Sequence, residues 1–127
     1  MGQVHRFVAV EHVVIDKSVL TRLRLRDGER KSRDFIDQMI FQTTDKLCRI
    51  EQLIKAGKQV EALEEVKNLI RVSAGCGMIC LNDVAYDLVD CLMTGDNTAT
   101  QAVLGRLLRL GEDSLFALID YTDRTIV

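Results

Sequence analysis

The chain has 127 residues, 47% apolar and 28% charged, with no proline and no tryptophan. At the usual frequency of roughly 5%, about six prolines would be expected; their absence favours long unbroken helices, because proline lacks a backbone donor and clashes with the preceding turn. Length, composition and a net charge of −2 fit one domain over residues 1–127, and exclude a disordered chain, a disulfide-stapled miniprotein, a multi-domain enzyme and a nucleic-acid binder driven by bulk basic charge.

Residues 1–14 are rich in β-branched side chains and read as an extended or irregular arm. His5, Arg6, Glu11 and His12 interrupt them, so no signal peptide is expected. Asp16 reads as the N-cap of a short helix carrying Val19, Leu20 and Leu23, its carboxylate taking an otherwise unpaired backbone N–H. Asp27-Gly28 ends that helix.

A long helix is predicted from about Arg30 to Ala56. Ile36, Ile40, Thr43, Leu47, Ile50 and Ile54 step by fours and threes, which makes one apolar stripe. Gly57 stops it. The next helix begins near Gln59, with Val60, Leu63, Val66, Leu69 and Ile70 inward, and runs into the small residues 73–77. A fourth runs from about Cys80 to Met93 on Leu81, Val84, Ala85, Leu88 and Leu92. A last helix starts near Thr98 with Ala102, Leu104, Leu107 and Leu108 inward; Gly111 is a candidate break, leaving Asp113–Tyr121 as a further short helix or a continuation. Short connections between amphipathic helices predict an all-α, antiparallel up-down four-helix bundle with a short N-terminal helix.

Charge is uneven: residues 1–33 hold eight Lys/Arg against four acids, residues 34–97 six against eleven. Such runs ordinarily keep a helix face in water. Cys48, Cys76, Cys80 and Cys91 lack zinc-site spacing and have no neighbouring histidine, so they read as small apolar residues in a reducing compartment, with no metal and no cofactor. Apolar runs are far shorter than the ~20 residues of a membrane span, and the chain reads as soluble and cytoplasmic. The carboxylates Glu61, Glu64, Glu65, Asp83, Asp87 and Asp90 lack the inward Glu-x-x-His pattern of di-iron bundles. Gly75-Cys76-Gly77 lacks the phosphate-loop pattern. No enzymatic activity is expected.

The layout resembles the histidine-containing phosphotransfer domains of bacterial phosphorelays over roughly residues 14–110. Val14 to Leu23 resembles the family's leading helix, and Gly28-Glu29 with Asp34-Phe35-Ile36 up to Leu53 its long helix. Ala56-Gly57-Lys58 resembles the step before the phosphorylated helix, and Leu81, Val84, Ala85 and Leu88 the leucine-rich helix after it. The family's His-x-x-Lys-Gly signal is replaced. In one register Lys67 stands at the histidine position, followed by Ile70 and Arg71. In another, needing a one-residue deletion before Gly77, Asn68 stands there and Arg71 keeps the positive charge. Neither residue supplies a neutral imidazole nitrogen: an amide is no comparable nucleophile, and lysine, with an ordinary pKa near 10.4, is protonated in neutral water.

The resemblance implies a protein that docks a response-regulator receiver or a histidine kinase without carrying phosphate. Its face would comprise Lys67, Asn68, Arg71 and Gly75 with Gln38 and Thr44 of the preceding helix, the positive charge meeting an acidic partner pocket. The alternative is a helical dimerisation or chaperone-type module unrelated to phosphorelays, with a second copy covering an apolar face.

Overall fold

The structure, a computed structural model, describes residues 14–126, with side chains through Asp123. Apart from Val14, the N-terminal arm and both histidines lie outside the described residues. Five helices follow in order: α1 (Lys17–Asp27), α2 (Glu29–Lys55), α3 (Gln59–Gly75), α4 (Ile79–Thr94) and α5 (Asn97–Ile126). Both α2 and α4 pack against α3 and α5, so the four longer helices close a ring, and α1 packs on α2.

Asp16 caps α1 as expected. Its Oδ1 accepts from Ser18 N at 3.0 Å and Ser18 Oγ at 2.6 Å, and the Ser18 hydroxyl bond is the main reason that its carboxyl sits below the ordinary value. The α2 stripe is buried at Ile36, Thr43, Leu47 and Ile50. It meets Ala62, Val66 and Leu69 of α3, Leu81, Val84 and Leu88 of α4, and Leu104, Leu107, Leu110 and Leu118 of α5 in one continuous core.

Two stripe assignments are corrected. Val60 is 77% exposed because it sits in the first turn of α3, before the helix has descended between its neighbours. Ala102 is exposed too; the α5 stripe runs through Thr100, Leu104 and Leu107 instead. The cysteines also differ from expectation. Only Cys76 is buried, and burial pushes its thiol up to about 12; Cys48 is exposed, and none of the four forms a disulfide.

Gly111 does not break the last helix. α5 is one helix of 30 residues, about 45 Å long at 1.5 Å per residue. The glycine serves packing: a Cβ there would lie 2.5 Å from Leu47 Cδ1, so its absence lets α5 close on α2. Thr43 is fully buried on the opposing stripe, and its hydroxyl has no hydrogen-bond partner among the described residues. A desolvated, unpaired hydroxyl costs about 1–3 kcal/mol. Thr43→Val keeps the branched shape and is expected to stabilise the chain by about 1 kcal/mol, seen as a higher urea midpoint at unchanged slope.

The corner between α3 and α4 is held from three sides. Asn82 Nδ2 donates to Ile70 O at 2.9 Å and Ser73 Oγ at 3.0 Å. Met78 N donates to Ser73 O at 2.9 Å. Ile15 forms an isolated antiparallel bridge with Met78, and Asp16 N donates to Gly77 O at 2.8 Å. Gly77 has φ +76°, and a Cβ there would lie 2.7 Å from Asp16 O, so the contact depends on glycine for conformation and for space.

Candidate functional site

α2 and α3 are joined by the turn at residues 56–58, closed by Lys58 N donating to Leu53 O at 2.9 Å. Beyond the turn, Glu65 of α3 meets Lys46 Nζ at 3.7 Å and Arg49 Nε at 3.1 Å. That crossing fixes the register between the helices. Moving on along α3 to Gly75, and equally far back along α2, reaches the turn that contains Gln38.

At about 100° per residue, Lys67, Asn68, Arg71 and Gly75 fall within an arc of about 100° on α3. Asn68 lies one turn beyond Glu65 on the side toward α2 and is half-buried, whereas Lys67 and Arg71 are exposed. Arg71 Nη2 donates to Asn68 Oδ1 across one turn. The amide is thereby oriented and the guanidinium held over the α2 side of the helix. Gly75 is exposed with open space where a Cβ would stand.

Gln38 is exposed on α2 at the level of Gly75, so it joins the four α3 residues on one face. Thr44 does not. Six residues beyond Gln38, it lies about 120° around the helix, on the side of α5. There its Oγ1 donates to Ile40 O at 2.9 Å, and it lines a separate groove with Leu47, Cys48, Leu108 and Leu115. Sequence reading placed Thr44 with α3 because an exposed polar residue can be assigned to either flank until the neighbouring helices are located.

Phe41 was missed. It is 71% exposed, one turn from Gln38 on the outer surface of α2. The signal was present: Phe41 stands off the apolar stripe next to Ile40, and an aromatic off its stripe is solvent-facing. Along the α3 face the charge changes sign, from Glu64 and Glu65 near the turn to Lys67 and Arg71 beyond it. Among the described residues, no three or more His, Cys, Asp or Glu side chains come together as a metal site, and no helix is long and apolar enough to cross a membrane.

The arrangement can present a cation, an amide and a glycine-floored gap to a partner; α3 offers no imidazole. Comparison with solved structures finds the fold in the crystal structure of histidine-containing phosphotransfer protein B (HptB) from Pseudomonas aeruginosa PAO1, with a TM-score of 0.78. The alignment covers 87% of this chain and 95% of that one at 17% identity, a likeness of fold. No family model and no curated protein matches the chain in sequence.

Proposed function

We propose that this chain is a pseudo-phosphotransfer protein of two-component phosphorelay signalling. It binds the receiver domain of a response regulator, or a histidine kinase, in the cytoplasm, carries no phosphate and is not an enzyme. In this reading α2 to α5 are the up-down antiparallel four-helix bundle of the phosphotransfer fold, and α1 is its short leading helix. The observation that carries the proposal is the Asn68–Arg71 pair on the α2 side of α3, in a fold shared with HptB.

The pair favours the register with Asn68 at the histidine position. Arg71 then stands three residues on, exposed, where the family's lysine offsets phosphate charge. The other register puts Ile70 at the lysine position, and Ile70 packs against the core. Lys67, Arg71 and Gly75 with Gln38 form the docking face, and Phe41 beside it adds an apolar anchor of the kind that dominates interface energetics. Thr44, on the far flank of α2, contributes at most to a partner that also covers α5.

The test is to mix the chain with each phosphorylated receiver of its own cell and follow complex formation and aspartyl phosphate together. Binding with the phosphate retained on the receiver is expected, weakened at least about tenfold, or 1.4 kcal/mol, by Arg71→Glu. Rapid transfer of phosphate to the chain overturns the non-carrier claim. A stable homodimer that binds no receiver or kinase replaces the proposal with the dimerisation-module reading.

A further inference from the structure

A groove of about 730 Å³ lies between α1, α2 and the end of α3. Its apolar wall is made by Val19, Leu23 and Phe35, the last two packed into or against the core. Leu25, also in the lining, is 79% exposed, which is unusual for a leucine on a helix rich in arginine. Arg22 and Arg26 stand on the rim. Gly75 closes the end, with open space where a side chain would otherwise fill the groove.

Residues 17–33, which build this end of the fold, carry seven Lys/Arg against Asp27 and Glu29. Asp27 holds Arg26 through Nε at 2.9 Å and Nη2 at 3.0 Å, which fixes that guanidinium beside the groove. Arg22 Nε donates to Ser18 O at 3.4 Å, and the residue is exposed. Lys31, one turn before Phe35 on α2, adds to the positive charge at this end of the fold.

We propose that this groove docks an acidic amphipathic helix of a protein partner. Apolar side chains one turn apart would enter between Leu25 and Phe35, and flanking carboxylates would meet Arg22 and Arg26. The lining comes from side chains of α1 and α2 with the α3 backbone at Gly75, with no strand edge among the described residues at the groove, so recognition follows the helix-in-groove mode. An arginine rim around an apolar floor suits a ligand that is acidic and apolar together. A bare polyanion leaves the floor unused. The groove meets the α2–α3 face only at Gly75, and its occupancy does not depend on the phosphorelay reading.

The experiment uses the full chain and a fluorescein-labelled helical peptide of about 16 residues, roughly 24 Å of helix. Leucines spaced by threes and fours alternate with glutamates, and two controls carry lysine for glutamate or a scrambled order. The acidic peptide is expected to raise anisotropy, with affinity falling as salt increases. Arg22→Glu and Gly75→Trp are each expected to weaken it at least about tenfold. Gly75 is free of positive φ strain, so tryptophan can fill the groove without breaking the helix end, and an unchanged melting curve checks this. Arg24→Gln is expected to leave binding unchanged, because Arg24 lines the opposite side of α1 with Tyr121 and Thr122.

Equal binding of the three peptides, or full binding by Gly75→Trp, overturns the proposal. So does concentration-dependent self-association abolished by Arg22→Glu, which makes a second copy the occupant. Laurate bound in place of the peptide makes it a small-amphiphile site. Receiver binding that survives Arg22→Glu separates this groove from the α2–α3 face, so the two readings fail independently.

Discussion

Asn68→His is expected to turn the chain into a phosphoryl acceptor. The substitution sets an imidazole on the α2 side of α3, three residues before Arg71, in the register proposed for the docking face. Its neutral nitrogen attacks the phosphorus of a receiver's aspartyl phosphate. The bond from phosphorus to the carboxyl oxygen breaks as the phosphorus–nitrogen bond forms, and the aspartate leaves as a carboxylate. Arg71, freed from the amide, offsets charge on the transferred group. Labelling from a phosphorylated receiver should exceed that of the parent chain at least about a hundredfold, a barrier difference of about 2.7 kcal/mol. The label should be lost in acid and kept in alkali, as a phosphoimidazole requires. Lys67→His, about 100° further round the helix and away from α2, should stay unlabelled. Labelling of Lys67→His alone reverses the register, and a docked but inert Asn68→His shows that the face does not place the phosphate over α3.

Gly77→Ala is expected to be the most destabilising small substitution in the described chain. Two costs coincide there. The backbone has φ +76°, and the added Cβ meets Asp16 O at 2.7 Å and Asp16 N at 3.3 Å. Neither atom is a side-chain end that can swing aside. Relief requires moving the Ile15–Met78 bridge and the 2.8 Å bond from Asp16 N to Gly77 O. A loss of about 3 kcal/mol follows from strain plus a lost buried bond, measured by urea denaturation. Gly57→Ala is the control: its φ is +74° but nothing lies within 4 Å of its Cβ position, so it should lose only about 1 kcal/mol. Equal losses at the two glycines would show that the clash with Asp16 is absorbed.

Helix ends were legible in the sequence where they depend on local chemistry. Asp16, Gly28, Gly57 and Gly95 mark boundaries that the structure places within a residue or two of expectation. Gly111 stays open between a break and a continuation in the sequence because the same residue type serves two physical purposes, ending a helix or admitting a neighbour, and only the position of Leu47 decides between them. The site divides similarly. Lys67, Arg71 and Gly75 come from the family resemblance, and helical spacing suffices to set them on one face of α3. The inward lean of Asn68 and the outward turn of Thr44 depend on which neighbour occupies which flank of α2, and that information lies in the pairing of Glu65 with Lys46 and Arg49. Asn82, which staples α4 to the end of α3, has no local signature at all, since its partners are a serine hydroxyl and a backbone carbonyl.

α1 is joined to the rest of the chain differently from the other helices. It packs chiefly on α2, is pinned at its start by the bridge to Met78, and meets α2 at a single glycine. An element fastened this way opens with a free energy below that of global unfolding. Most of the basic groove's lining belongs to α1, so the groove's affinity is set partly by how firmly that helix is seated. Substitutions at Leu20, whose side chain is buried beneath it and outside the groove's lining, would therefore tune a binding surface that residue never touches, while α3 and its outer face stay in place.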